Sequence, residues 1–379
     1  MINIILLGLV SFLTDVSSEM IMPILPLFIK QLGGTGIAVG LITGVASAVA
    51  SLLKVFSGYF SDIYGKRRRM VFAGYAMSAL AKLFFPLSTS WQHILLLKPL
   101  ERVGKGVRDA PRDAMVSFFA KKKTRGRGFG ILRTMDTSGA ILGSLLALLF
   151  FGYLGFSFKM IFFIAALFAF LALIPIFFVK EPKVKPRRFA LKVGFSQLSN
   201  PLRWLIFAAA VFALGNFSYM FFILRAQEAF NTARSAFVIP ILLYVLYNIF
   251  YAGFAIPVGI VSDRIGRKKI LLCGYALFTI TCLGFAYFQS LGYLIVLFAL
   301  YGLTYALVDA TQRAYVSDLA PKNIRGTALG TFHTAIGFSA LFAGLVAGYL
   351  WDMSAAYTFW FGAVMAFIAV VLLGFVKSK

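Results

Sequence analysis

Along the chain, long apolar runs alternate with short polar breaks, and the runs show neither the strict alternation of a strand nor the polar stripe of a soluble helix. Runs of roughly 20 apolar residues match an α-helix crossing the hydrocarbon core of a bilayer. The pattern predicts twelve such spans, at 4–29, 36–59, 70–89, 92–119, 128–153, 157–179, 202–229, 236–260, 270–288, 292–316, 326–350 and 354–376. The longest polar connection, residues 180–200, is rich in Pro, Lys and Arg and reads as a cytoplasmic linker. It separates residues 1–179 from 201–379, each predicted to form a six-helix bundle.

Composition sharpens this picture. The 379 residues are 60% hydrophobic and 13% charged, with a mean hydropathy of +0.88, far from the usual soluble balance. The net charge of +24 invites comparison with nucleic-acid binders, but the bases fall in the short breaks "GKRRRM", "KKKTRGR", "KEPKVKPRR", "DRIGRKK", "PKNIR" and the terminal "KSK". Only Lys30, Lys159 and Arg234 occupy breaks of the opposite parity. This asymmetry follows the positive-inside rule. It predicts a multi-pass protein of a prokaryotic inner membrane with both termini cytoplasmic, its bases facing lipid headgroups and no nucleic acid. The amino terminus lacks a basic region and carries acids, so it reads as the first span and not as a cleaved signal. Cys273 and Cys282 lie nine residues apart in one span, on roughly opposite faces, and are expected to remain unpaired. No phosphate-binding glycine loop, nucleophile–base pair or metal-ligand cluster is legible. The sequence predicts no enzyme, no cofactor and no metal.

The two halves repeat. "GYFSDIYGKRRRM" at 58–70 returns as "GIVSDRIGRKKIL" at 259–271, and "RDAPRDAMVSFFAKKKTRGRGFG" at 108–130 as "VDATQRAYVSDLAPKNIRGTALG" at 308–330. Such a duplication of six-span units points to a transporter built around a central site. Gly58, Asp62, Gly65, Lys66 and Arg67, with Gly259, Asp263, Arg264, Gly266 and Arg267, resemble the signature loop of the major facilitator superfamily. Arg102-x-x-x-Gly106 is similar to the second motif of its drug/proton antiporters, and Gly130, Gly139 and Gly143 match the spacing of their span-five motif. Ile63 and Ser144 depart from the family pattern. The resemblance implies the fold of that superfamily, two pseudo-symmetric six-helix bundles, and secondary transport by alternating access. It implies that the repeated loops hold one cytoplasmic gate state. Gly58 and Gly259 would let helices approach closely there, and Asp62 and Asp263 would sit beside helix N-termini.

Charge inside the spans carries the candidate chemistry. Residues 101–115 hold seven ionisable side chains. At about 3 kcal/mol per central charge facing lipid, the stretch would cost roughly 20 kcal/mol, so it cannot face lipid. Arg102 and Lys105 are candidates to line a substrate cavity, with Arg133 and Asn216. Arg108, Asp109, Arg112 and Asp113 lie nearer the cytoplasmic end and suit a gate network. Asp15 and Glu19, one turn apart, repel when both are ionised, which favours a proton held between them. They are the leading proton-coupling candidates and Asp136 is the reserve, with Arg133 one turn from it. The alternative is that Asp15 and Glu19 only pin span one through Thr14, Ser17, Ser18 or neighbouring helices. The second half offers mostly apolar and aromatic walls, apart from Asp309, Arg313 and His333. The function expected is proton-coupled efflux of a small organic solute by a monomer. Alternatives are an organic-anion carrier using the span-four bases, and a lipid-flipping or receptor-like protein without proton coupling.

Overall fold

A computed structural model describes residues 1–120, 125–182, 198–230, 233–321 and 324–376. Most of the linker expected at 180–200, and the side chain of Asp62, lie outside the described residues. Every regular element among those described is helical. The helices are α1 (Ile2–Ile21), α2 (Leu25–Gln31), α3 (Gly36–Tyr64), α4 (Arg67–Phe84), α5 (Trp91–Phe119), α6 (Arg125–Leu148), α7 (Phe158–Leu171) and α8 (Ile174–Phe178). They continue with α9 (Asn200–Gly215), α10 (Tyr219–Glu228), α11 (Ala233–Ile265), α12 (Arg267–Tyr287), α13 (Leu291–Leu319), α14 (Arg325–Met353) and α15 (Ala355–Gly374). Taken with their breaks, they make the twelve spans expected. Eleven are long and apolar enough to cross a bilayer. The twelfth, α5, has the length at 29 residues, but its charges spoil the composition. Pro23 and Pro26 lie at the break between α1 and α2 within the first span: α1 runs unbroken past Asp15 and Glu19, and the chain turns at 22–24.

The chain divides into two compact units, residues 1–34 with 49–190 and residues 35–48 with 191–379. In the first unit α1 packs on α6 and α7, and α4 on α5 and α7. In the second, α9 packs on α14 and α15, and α12 on α13 and α15. These adjacencies correspond span for span, so the sequence repeat is also a packing repeat. Residues 35–48 group with the second unit because Gly40 of α3 lies against Gly344 of α14, where a Cβ on either would overlap the other's carbonyl oxygen. Asp352 accepts hydrogen bonds from the Gly36 and Ile37 amides at 2.6 and 3.1 Å, satisfying two orphan donors at the start of α3.

Membrane helices gain no hydrophobic drive for association, so close backbone contact must supply it. Gly139 and Gly143 of α6 lie on the carbonyl oxygens of Phe12 and Val16, and Gly104 of α5 lies on Gly74 of α4. Gly130 meets nothing within 4 Å, although it belongs to the same sequence motif as Gly139. In the second unit the buried Arg225 of α10 donates to the Phe285 and Ala286 carbonyls at 3.0 and 3.1 Å, closing the end of α12. We expect Gly139→Leu to destabilise the protein by about 1–3 kcal/mol through overpacking, while Gly130→Leu is tolerated. Thermal unfolding of the two purified variants checks this contrast.

Candidate functional site

The first unit collects its intramembrane charge on the facing sides of α1, α4, α5 and α6. Glu101 is 2% exposed and anchors the cluster. It accepts from Lys98 Nζ at 2.7 Å and lies 3.6 Å from Arg102 Nε. Two turns along, Arg108 donates to Ser78 Oγ at 2.7 Å and stacks over the Tyr75 ring at 4.2 Å. Ser78 in turn donates to the Glu101 carbonyl at 2.9 Å, tying α4 to α5. Asp109 pairs with Lys54 of α3 at 3.5 Å. Arg112 reaches Ser11 at 2.7 Å, Asp113 at 3.3 Å and Asp136 at 3.9 Å, joining α5 to α1 and α6. Lys82 of α4 is 1% exposed and donates to both Ser17 and Ser18 at 2.9 Å.

Sequence reasoning singled out neither Lys82 nor Lys98. Each is a single lysine in an otherwise apolar run ("SALAKLFF", "ILLLKPLE"), and Lys98 stands three residues before Glu101. Those signals were available. Ser11, Tyr75 and Ser78 carried none, because a hydroxyl in a span reveals its partner only once the helices are packed.

Asp15 is half-buried on α1. Its strongest carboxylate neighbour is Asp136 of α6, with Glu19 a weaker one, and Lys105 and Arg112 are the cations in electrostatic reach. The electrostatic surroundings of Asp15 thus include an acid of a second helix as well as Glu19 on its own. Arg112 lies within ion-pair distance of Asp136, and Arg133 is exposed. Lys105, half-buried on α5, sits in the fields of Asp109, Asp15, Arg102 and Arg108 without an ion-pair or hydrogen-bond contact among the described residues.

The second unit contains a cavity of about 190 Å³ lined by Asn216, Tyr305, Asp309, Gln312, Arg313 and His333, with Phe212 and Phe332 among its apolar walls. Tyr305 donates to Asn216 Oδ1 at 3.3 Å, so the sequence-selected Asn216 does border a cavity. Asp309 accepts from Tyr251 at 3.1 Å and Arg313 at 2.5 Å. Tyr247, Tyr251, Tyr301 and Tyr305 extend an aromatic wall behind them.

The repeated loops are built differently in detail. Gly65 and Gly266 both adopt positive φ, +65° and +99°, which the tight helix-to-helix turn requires. Asp263 pairs with Arg267 at 3.0 Å, and Arg267 also contacts Asp318, linking α11, α12 and α13. Arg264 and Lys66 are exposed. A base of each loop binds the end of its bundle's sixth span. Arg68 donates to the Val179 carbonyl at 3.1 Å, and Lys268 to the Gly374 and Val376 carbonyls at 2.8 and 2.6 Å. The glycines behave unequally: Gly58 is in ordinary contact with Ala110, whereas Gly259 meets nothing within 4 Å. The close approach expected at Gly259 is absent.

A profile described as Major Facilitator Superfamily matches residues 7–242 and 205–379. The chain belongs to the Major Facilitator Superfamily. An uncharacterised MFS-type transporter, MJ1317 of Methanocaldococcus jannaschii, is 51% identical over 99% of this chain and 94% of its own. The multidrug resistance protein MdtG of Klebsiella pneumoniae is 26% identical over 74% of the chain and 70% of its own. Among solved structures, a variant of the nucleoside transporter NupG superposes with a TM-score of 0.81 at 15% identity, covering 99% of this chain and all of that one, a likeness of fold. The protein is therefore a multi-pass membrane transporter of small molecules and not an enzyme.

Within this superfamily transporter, Glu101 is the charge whose loss should cost most. Removing one partner of a buried ion pair leaves the other uncompensated, at about 3–5 kcal/mol. Glu101→Gln should therefore lower thermal stability markedly. The Glu101→Leu/Lys98→Met double variant should recover part of the loss, since the buried Lys98 charge is removed together with its partner. Unfolding curves of the three proteins decide it.

Proposed function

We propose that the chain is a proton-coupled exporter of small organic solutes. It works as a monomer by alternating access in the inner membrane of a prokaryote, with both termini cytoplasmic. The observation that carries the reading is the packing of α1 on α6, which puts Asp15 within electrostatic reach of Asp136, Lys105 and Arg112, with Arg112 3.9 Å from Asp136. Two carboxylates in one low-dielectric region favour sharing a proton, and water entry or a nearby cation reverses that preference. A proton affinity that depends on conformation is what coupling requires. The multidrug resistance relatives support efflux, and the basic loops on one side of the spans support the orientation. In this reading the Asp263–Arg267–Asp318 cluster and the basic contacts at the ends of the sixth spans stabilise one state of the cytoplasmic gate. Asn216 and the aromatic wall of the second unit contribute recognition of the solute's apolar part.

The test is transport of ethidium and of naphthoate, one cationic and one anionic solute, by the full chain in proteoliposomes under an imposed pH gradient. Asp15→Asn should reduce gradient-driven transport at least tenfold while ethidium binding in detergent stays within a few-fold. Glu19→Gln should be milder, because Glu19 is the weaker neighbour of Asp15. Gradient-driven transport that persisted in the Asp15→Asn/Asp136→Asn double variant would remove these acids from the mechanism.

A further inference from the structure

The cations of the first unit can be assigned one by one. Lys98 and Arg102 serve Glu101, Lys54 serves Asp109, and Arg112 serves Asp113 and Asp136. Arg108 is held by Ser78 and Tyr75, and Lys82 by Ser17 and Ser18. Lys105 is left over. Its side chain lies one turn from Glu101, Arg108 and Asp109, yet none of them is in contact with its ammonium. Asp109, the nearest counter-charge on its own helix, already has Lys54. Asp15 of α1 is in electrostatic reach of Lys105 and is likewise without an ion-pair or hydrogen-bond contact among the described residues.

A half-buried ammonium without a contact partner is expensive unless water or a ligand supplies one. Its partial exposure places it on the open side of α5, where Glu101 and Arg108 face inward and are 2% and 4% exposed. Glycine at 106, on the neighbouring side of α5, packs against Ala50 and Leu53, so α3 closes that flank. Arg102 differs in kind: its guanidinium is committed to Glu101, so its loss would first disturb a buried pair.

We propose that Lys105 is the seat for an anionic group of the transported solute, a carboxylate, sulfonate or phosphate on an organic body. Asp15, whose charge reaches Lys105 from α1, sets the strength of that seat. The proposal names the substrate class of the site described above and rests on that site being the transport cavity. It follows that an anion at Lys105 and a negative charge at Asp15 oppose each other. Neutralising Asp15 should tighten an anionic ligand, whereas neutralising Lys105 should weaken it. A purely structural Lys105 would give neither pattern.

The experiment uses the purified full chain in detergent, without a pH gradient, and two probes of equal size and opposite charge, naphthoate and naphthylmethylammonium. Affinities are read from concentration-dependent thermal shifts, and folding of each variant is checked by gel filtration. Lys105→Gln should weaken naphthoate at least tenfold and leave naphthylmethylammonium within about twofold or tighter. Lys105→Arg should retain naphthoate binding, and Asp15→Asn should tighten it several-fold. Unchanged naphthoate binding in Lys105→Gln, equal loss of both probes, or a wild-type chain that binds no naphthoate would overturn the proposal. Failure of the coupling reading would show instead as gradient-driven ethidium transport that ignores Asp15 and Asp136, with these binding results unaffected.

Discussion

An ion cannot face hydrocarbon without a cost comparable to the stability of the whole protein. Much of the first unit's arrangement follows from that constraint. α5 carries seven ionisable groups within residues 101–115, and it can cross a bilayer only if neighbouring helices receive them. Glu101 is received by Lys98 and Arg102, Asp109 by Lys54, and Arg108 by Ser78 and Tyr75. The glycines that bring α4 onto α5 and α6 onto α1 make these short contacts possible, because a Cβ at Gly104 or Gly139 would hold the backbones apart. Packing and electrostatics thus depend on the same few positions.

The same constraint separates structural charges from working ones. A charge with a partner in contact is already compensated and resists change. Asp15 and Lys105 have no such contact among the described residues, and both are only partly buried. The second unit takes the other route. Its cavity sets Phe212, Tyr305 and Phe332 among neutral polar groups, and the acid–base pair lining it, Asp309 with Arg313, is in mutual contact. A transporter organised this way can keep proton chemistry on one bundle and apolar recognition on the other.

Much of the fold was legible in the sequence because bilayer thickness and helix rise set the length of each span, and the duplicated loops "GYFSDIYGKRRRM" and "GIVSDRIGRKKIL" declare the repeat. The candidate site was legible only as a set of charges. Helical periodicity shows which residues share a face but not which residue of another helix meets them. The spacing of Asp15 and Glu19 drew attention to each other, whereas the packing of α1 on α6 brings Asp15 nearer in effect to Asp136. Arg102 and Lys105 looked equivalent on one helix, yet Glu101 takes the first and leaves the second. Lys82 looked like an isolated lysine, and only the fold reveals Ser17 and Ser18 around it. Gly259 carries the loop motif without the close contact that glycine usually signals.

The central claim is that contact pairing divides the intramembrane charges into those that hold the bundle and those that work. Carbodiimide modification of the full chain in lipid vesicles, mapped by mass spectrometry, tests it most directly, because the reagent enters apolar regions and reacts with carboxyl groups that are protonated and unpaired. The account predicts that Asp15 is modified well before Glu101 and Asp109, which stay bound to Lys98 and Lys54. Modification of Glu101 or Asp109 as readily as Asp15 would contradict it.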